Sequence, residues 1–305
     1  MLISEPGKIT EGLYLLGAKH NIIYLIEGEE SMLIGGGMSW VAPRLEQQFT
    51  QFDIDLQKIK YLVIQHAHFD HCGAVPYLKR KIPGLKVLGT EAARGTLSKE
   101  KVISYIEAIN RMMVDFYGYS REYDELQLRI YDIGVDEIVG DNTVIDLGQG
   151  MDIHFIETPG HSPCAVAVHI PWLKAIFPTD SAPCPVGSLD NLARPSPQFD
   201  FALYMASLKK LMGYDIEVCG FDHYAAVVGE DAKKVLQNAY GYCREYEKRI
   251  VGLYRETGDL ESVTRLIARE TIASDKFDFI TEELMLPISR AEVHNILKAA
   301  GAIDS

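Results

Sequence analysis

The chain has 305 residues, of which 47% are hydrophobic and 24% are charged, a composition typical of a globular protein that can bury a large core. Its 30 basic and 43 acidic side chains give a net charge of −13, which repels phosphate backbones and anionic lipid, so we expect neither nucleic acid nor a membrane as a partner. No apolar run is long enough to span a bilayer and the N-terminus has no signal segment, so we expect a cytoplasmic protein.

Short β-rich runs open the chain and lead to a cluster of histidines. We predict strands at 12–16, 21–26 and 32–34, with a hairpin turn at 28–31 and a helix at 43–52. Residues 59–65 form a largely apolar run of strand length, which is typical of a strand buried on both faces. The histidines that follow it therefore lie on the loop at its C-terminal end.

The middle of the chain combines one long helix with further strands. Apolar side chains recur at helical spacing over 98–117, and Gly118 ends the pattern. The remaining predicted elements are strands at 144–145, 151–156, 165–170, 175–177 and 216–219, and a helix at 201–212.

From Glu230 onward the pattern is helical only. We predict helices at 231–256 and 259–270, and a last helix that begins at the capping-box pattern Ser289-Arg290-Ala291-Glu292 and stops at Gly301. The sequence therefore predicts a mixed αβ domain over residues 1–228, with a helical insertion at about 93–125, and an all-helical extension over 229–305.

The histidine cluster has the composition of a metal site. His66 and His68 are two residues apart, so on an extended segment both imidazoles project to one side, where one cation could take both. Asp70 and His71 follow where the chain must turn. Imidazole and carboxylate without thiolate suit zinc, iron or manganese in a reactive site better than a closed structural zinc site.

Three later stretches each place one residue of a metal-ligating type just after an apolar strand. These residues are His161, Asp180 and His223. Loops at strand ends are where a scaffold gathers functional groups from distant parts of the chain. Seven candidate ligands result, which is enough for two metal ions with open positions: His66, His68, Asp70, His71, His161, Asp180 and His223.

The pattern H-x-H-x-D-H, followed by T-P-G-H, an isolated Asp and a late His, resembles the metallo-β-lactamase superfamily over roughly residues 10–228. This resemblance implies an α/β fold, an αββα sandwich with a dinuclear site at one edge and a helical C-terminal extension that covers it. It implies two divalent ions, zinc or iron with manganese as a third option. The first would be held by His66, His68 and His161, the second by Asp70, His71 and His223, and Asp180 would bridge them.

The surroundings of these ligands depart from the superfamily pattern. Gly35 stands where an Asp is usual, and Thr179 stands where a Gly usually precedes the bridging Asp. Asp222 and Tyr224 replace the glycines that usually flank the last histidine. All seven candidate ligands are intact, so these departures bear on how tightly the site holds metal and on which metal it prefers.

The segment Thr158-Pro159-Gly160-His161-Ser162 resembles the glyoxalase II-like thioesterase branch. That resemblance implies hydrolysis of an acyl thioester, of acyl-CoA or glutathione type, by a hydroxide that bridges the two metals and is oriented by Asp70 as the catalytic residue. A lactonase or carboxylesterase would use the same site. The expected partner is a small-molecule acyl substrate, with a homodimer as an option.

Other functional classes are less consistent with the sequence. Flavodiiron oxygen reductases carry a Glu where this chain has His68, and no flavodoxin-like segment follows. The negative charge disfavours a nuclease. A regulatory protein that binds a ligand or partner with little catalysis is the alternative outside the enzymes.

Several conspicuous residues have a simpler structural interpretation. The five cysteines are odd in number and form no C-x-x-C pair, so we expect reduced thiols, with Cys72 packed under the metal loop. The Met and aromatic face of 102–117 and the tyrosines of the tail are expected mainly to pack helices, with some lining an acyl pocket. These tyrosines are Tyr240, Tyr242, Tyr246 and Tyr254.

Overall fold

The computed structural model describes residues 1–274 and 281–304. In chain order its strands are β1 (Leu2–Ile3), β2 (Gly7–Thr10), β3 (Leu13–Ala18), β4 (Asn21–Ile26), β5 (Ser31–Ile34), β6 (Ile59–Val63), β7 (Lys86–Gly89), β8 (Glu137–Ile138), β9 (Val144–Asp146), β10 (Asp152–Glu157), β11 (Val166–Ile170), β12 (Ala175–Phe177), β13 (Val218–Gly220) and β14 (Ala226–Val228). The helices are α1 (Ala42–Gln51), α2 (Val75–Lys81), α3 (Glu91–Leu97), α4 (Glu100–Phe116), α5 (Ser120–Glu125), α6 (Phe201–Leu211), α7 (Ala232–Thr257), α8 (Leu260–Ser274) and α9 (Glu282–Ala299). Single 3-10 turns lie at Ser39–Val41, Pro171–Leu173, Thr179–Ser181 and Gly229–Asp231.

The described strands form two mixed sheets. The first sheet has the order β2-β3-β4-β5-β6-β7-β8, and the second has the order β1-β14-β13-β12-β11-β10-β9. Strands β5 to β8 are parallel to one another, as are β12 and β13, whereas the other neighbours are antiparallel. The first residues of the chain join the second sheet, because Leu2 of β1 pairs with Val227 of β14.

The two sheets pack face to face, and the strands alternate accordingly. In β4, Ile22, Tyr24 and Ile26 face the core between the sheets, whereas Ile23 and Leu25 face the helices on the outer side. This period of two is that of a strand buried on both faces. Helices α1 to α5 cover the first sheet, and α6 to α9 cover the second. The predicted αββα sandwich with a helical C-terminal segment is therefore confirmed.

The C-terminal helices share a core with the second sheet. Val235 of α7, Val263 of α8 and Val293 of α9 belong to the same buried cluster as Ile176 of β12. The division of the chain at residue 228 stays a prediction. None of the helices in the described part of the chain is long and apolar enough to cross a membrane.

The last helix begins earlier than the sequence predicts. It starts at Glu282, where the Thr281 hydroxyl accepts a hydrogen bond from the Leu284 amide at 3.3 Å, and the predicted capping residue Ser289 lies fully buried inside it. The capping-box prediction was therefore wrong, whereas the stop at Gly301, with φ +66°, is observed.

Some short elements are absent from the sequence prediction. They are β1, β2, β7, β8, β14 and α2. The strands among them have two to four residues, which is too few to display an alternating pattern, and long-range pairing defines them.

Candidate metal centre

The seven candidate ligands meet where four strands end. The loop after β6 supplies four of them, and the loops after β10, β12 and β13 supply one each: His66, His68, Asp70, His71, His161, Asp180 and His223. Strand β6 lies in the first sheet and the other three lie in the second. The side chains therefore converge at one edge of the sandwich, from both of its sheets.

Three groups of three side chains come close enough to hold a cation. Within each group, one ligand atom of every member lies within 4.8 Å of the others. The groups are His66, His68 and His161; His66, His71 and Asp180; and Asp70, His71 and His223. The first and third have the same members as the two ligand sets that the superfamily resemblance implies, and the second joins them.

Asp180 lies between the groups. Its Oδ2 atom is 3.6 Å from Nε2 of His66, 3.2 Å from Nε2 of His71 and 3.3 Å from Nε2 of His161. Its Oδ1 atom is 3.6 Å from Nε2 of His223. One carboxylate thus faces histidines of both outer groups, which is the position that a bridging ligand requires.

In four of the histidines, Nδ1 points away from the centre of the cluster and is hydrogen-bonded to an oxygen atom. His161 donates from Nδ1 to the Ser196 carbonyl at 2.7 Å, and His223 donates from Nδ1 to the His20 carbonyl at 2.7 Å. Nδ1 of His66 lies 3.1 Å from the Thr179 hydroxyl, and Nδ1 of His71 lies 3.0 Å from Asp222. With Nδ1 engaged in this way, Nε2 is the nitrogen that faces the centre, which is the arrangement of a ligating histidine.

The histidine nitrogens that face the centre of the cluster fit a divalent cation. Nε2 of His66 is buried and has no hydrogen-bond partner among the described residues. Nε2 of His161 lies 2.8 Å from Nδ1 of His68, so two ring nitrogens point at each other. An unpaired buried nitrogen costs free energy, and a cation bound to these lone pairs would remove that cost.

Burial and neighbouring charges shift the pKa values of several candidate ligands. Burial lowers the pKa of His66 well below its usual value and lowers the pKa of His68 to about 3, so both are neutral at pH 7. Burial also opposes charge on His71, but the Asp70 and Asp180 carboxylates outweigh it and raise the pKa of His71 well above its usual value. Burial likewise disfavours the Asp180 anion, but the neighbouring histidines, His71 first, hold the pKa of Asp180 well below its usual range.

A buried asparagine on α4 braces the histidine loop. Asn110 donates from Nδ2 to the Phe69 carbonyl at 2.9 Å, and its Oδ1 accepts from the Ser39 amide at 2.8 Å. Gly73 is required beside it, because a Cβ there would lie 2.1 Å from the Asn110 Oδ1. Sequence reasoning missed Asn110; the available signal was a polar residue within the apolar face of the predicted helix.

A cavity of about 500 Å³ opens at the metal edge. Its apolar lining includes Trp40, the α4 residues Ile106 and Ile109, and Met285 and Ile288 of α9. Five of the candidate ligands line it as well: Asp70, Asp180, His68, His161 and His223. The lining is mostly apolar, so the cavity can enclose the hydrocarbon part of a substrate next to the cluster.

The residues with a simpler structural interpretation divide between core and cavity. Tyr105 and Tyr117 line the cavity, whereas Tyr246 of α7 is buried in the core between the C-terminal helices and the second sheet. Cys72 is fully buried, and its thiol donates to the His68 carbonyl at 3.1 Å. Burial raises the pKa of the Cys72 thiol well above its usual value, so the thiol stays protonated and is no nucleophile.

Comparisons with known proteins agree with this geometry. The sequence profile of the metallo-beta-lactamase superfamily matches residues 17–223. A curated protein from Sulfurisphaera tokodaii, the metallo-beta-lactamase fold-containing protein ST1585, is 29% identical over 203 residues, which are 66% of this chain and 71% of that protein. The anaerobic nitric oxide reductase flavorubredoxin of Vibrio vulnificus is 30% identical over 176 residues, which are 56% of this chain and 29% of that protein. The chain thus spans less than a third of the flavorubredoxin.

Solved structures share the fold. A metallo-beta-lactamase family protein from Thermus thermophilus, TTHA1429, superposes with a TM-score of 0.67 at 16% identity, covering 97% of this chain and 96% of that one. The crystal structure of ST1585 superposes with a TM-score of 0.57 at 19% identity, covering 94% of this chain and 98% of that one. At these identities the likeness concerns the fold alone, and with TTHA1429 it extends over the C-terminal helices.

Proposed function

The chain belongs to the metallo-β-lactamase superfamily, whose members are generally metal-dependent hydrolases, and we propose that it hydrolyses an acyl thioester at a centre of two divalent cations. The observation that carries the proposal is the position of Asp180, which faces histidines of both outer groups and lines a largely apolar cavity. A fold does not determine a reaction, so the proposed activity depends on the residues of the site.

Each residue of the cluster has a proposed role. His66, His68 and His161 would hold one cation, Asp70, His71 and His223 would hold the second, and Asp180 would contact both. When bound, the cations, zinc or iron with manganese as a third option, supply a water of lowered pKa and a Lewis acid for a carbonyl oxygen. The donor atoms would be imidazole nitrogens and the oxygens of two carboxylates, which suit any of these metals.

Asp70 is the proposed catalytic residue. Its Oδ2 atom lies 3.5 Å from Nε2 of His71 and 3.7 Å from Nε2 of His223, which places it beside the second group. Its side chain is 24% exposed and lines the cavity, so the carboxylate can accept a hydrogen bond from a water that approaches the substrate. Asp70 would thereby orient the attacking water toward the carbonyl carbon.

The cavity supports an acyl substrate with a good leaving group. The apolar side chains of α4 and α9 that line the cavity suit an acyl chain or ring. A thiolate leaves without prior protonation more readily than an alkoxide, since thiols have a pKa near 8.5. The sequence likeness to the glyoxalase II-like branch, and within it to the quinolone-signal response thioesterase PqsE, supports the same substrate class.

A second candidate function rests on one observation. The curated flavorubredoxins that match the chain are named as anaerobic nitric oxide reductases, so a redox reaction at a di-iron centre is the alternative. His68 argues against it, because the flavodiiron pattern has a Glu there and this chain presents an imidazole to His161. A lactonase or carboxylesterase would need only a different cavity occupant. A regulatory protein would use the cavity for binding alone.

The test measures free-thiol release from a panel of acyl-CoA and acyl-glutathione thioesters. The protein is purified without added metal and then reloaded with zinc, iron or manganese. We expect turnover of at least one thioester, its loss in His66→Ala, and its retention in His154→Ala, a matched control on β10 outside the cluster. Hydrolysis of lactones or esters alone would replace the thioester proposal, and consumption of nitric oxide by the iron-loaded protein would establish the reductase.

A further inference from the structure

One buried carboxylate connects two histidines that belong to different metal groups. Asp222 lies just after β13 and is only 3% exposed. Its Oδ2 atom lies 3.0 Å from Nδ1 of His71 and 2.7 Å from the Thr179 hydroxyl. That hydroxyl lies 3.1 Å from Nδ1 of His66. His66, Thr179, Asp222 and His71 therefore form one hydrogen-bonded chain behind the cluster.

The protons along this chain of hydrogen bonds can be placed by elimination. A carboxylate only accepts hydrogen bonds, so Asp222 must receive one proton from the Thr179 hydroxyl and another from Nδ1 of His71. The hydroxyl has then used its single proton, so it accepts from Nδ1 of His66. Both imidazoles thus carry a proton on Nδ1, and Nε2 is the nitrogen that faces Asp180 and that a cation would take.

The backbone at Thr179 has a conformation that is unfavourable for a threonine. Thr179 has φ +50°, a left-handed conformation that β-branched residues rarely adopt, and this conformation places its hydroxyl between His66 and Asp222. The Asp222 Oδ1 atom is buried without a hydrogen-bond partner among the described residues. Both features cost stability, and such costs concentrate where a site depends on the geometry they produce.

We propose that Asp222 is a positioning residue which, directly at His71 and through Thr179 at His66, fixes the tautomers of one ligand in each outer metal group. The inference rests on the proposed metal-dependent function, because it concerns the readiness of those groups for metal. It predicts different effects for Thr179 and Asp222. Thr179 acts on the His66 group alone, whereas Asp222 acts on both groups.

The first experiment compares metal affinity in four variants. Cobalt(II) is titrated into metal-free protein, with binding followed by the visible absorption of the bound ion and by competition with a chelator. Thr179→Val preserves the shape and removes the hydroxyl, whereas Thr179→Ser preserves the hydroxyl. Asp222→Asn removes the charge, and Asp136→Asn is the matched control, a carboxylate that accepts hydrogen bonds from Val87 and Lys79 away from the cluster.

The expected pattern separates positioning from simple bracing. Thr179→Val should weaken one of two cobalt equivalents by about 10–100-fold, Asp222→Asn should weaken both, and Thr179→Ser and Asp136→Asn should match the parent protein. The unfolding midpoint of each metal-free variant is measured alongside. A loss of stability with unchanged cobalt affinity and spectrum would show a structural brace and overturn the proposal, as would equal effects of Thr179→Val and Thr179→Ser.

A second readout tests the tautomers without metal. Nitrogen-15 NMR of the histidine side chains in metal-free protein should show the neutral Nδ1–H form for His66 and a proton on Nδ1 of His71. In Thr179→Val the signal of His66 should change while that of His71 stays. The opposite tautomer in the parent protein would overturn the inference. If the parent protein shows these tautomers but binds no cobalt, the proposed function fails and, with it, the assignment of the tautomers to metal binding.

Discussion

The C-terminal helix is tied to the candidate metal centre by a buried ion pair, and breaking that pair is a severe test of the structure. Glu292 of α9 is 1% exposed and pairs with Arg194, whose side chain is 15% exposed. The same carboxylate accepts from the Ser196 hydroxyl at 2.6 Å, and the Ser196 carbonyl accepts from His161. Glu292→Ala would leave the Arg194 guanidinium buried without its carboxylate.

The cost of this change can be bounded. Removing one partner of a buried pair typically costs about 3–5 kcal/mol, because the remaining charge stays desolvated. Replacing both partners with apolar residues of similar volume is often close to neutral. We therefore expect Glu292→Ala to lose about 3–5 kcal/mol and the double variant Arg194→Met with Glu292→Leu to regain most of it. Such a loss is a large part of the roughly 5–15 kcal/mol that stabilises a typical domain.

The assay is urea unfolding of the metal-free protein, followed by circular dichroism and tryptophan fluorescence. Glu270→Ala is the matched control, since Glu270 pairs with Arg249 on the surface with both side chains 44% exposed. Its loss should be about 0–1 kcal/mol. A cost below about 1 kcal/mol for Glu292→Ala, or a double variant no more stable than the single one, would refute the reasoning.

Three further predictions concern the centre and its cavity. Asp180→Ala should abolish hydrolysis and lower the number of tightly bound metal ions measured by elemental analysis; unchanged turnover would exclude a bridging role. Because the pKa of His71 is raised in the metal-free protein, metal must displace its proton at pH 7, so affinity should rise with pH up to that pKa, and calorimetry in buffers of different ionisation enthalpy should detect proton release. Cys72→Ala should leave turnover within a few-fold and cost stability of about 1–2 kcal/mol in the same urea assay, since its thiol is buried and protonated; loss of turnover in a fully folded variant would show that the thiol takes part.

The sequence was most informative where neighbouring residues carry the information. His66, His68, Asp70 and His71 lie within six positions, and the loop that bears them follows a strand whose apolar pattern is unambiguous. The sandwich was likewise predictable, because its longer strands alternate or run apolar over five or six residues. The assignment of metal ligands from these motifs stays a prediction that the cobalt titration tests.

The sequence was least informative where packing over long distances decides the outcome. Glu292 fits the fourth position of a capping box, but it is a partner of Arg194, 98 residues away, and Thr281 caps the helix instead. Nothing in the local sequence distinguishes the two roles. Asn110 shows the same limitation, because its position on an apolar helix face predicts burial and leaves its partner Phe69 undetermined.

The departures from the superfamily pattern illustrate why a comparison made one residue at a time is incomplete. Gly35, where an Asp is usual, suggests a lost carboxylate, and Asp222 suggests a lost glycine. In the structure the two positions adjoin through Ile22, since a Cβ on Gly35 would lie 3.4 Å from the Ile22 carbonyl, and the Ile22 amide donates to the Asp222 carbonyl at 2.8 Å. A carboxylate therefore still supports the histidine loop, from the second sheet, 151 residues beyond the His71 that it contacts. The two departures are best interpreted together, as one support for the histidine loop in place of another.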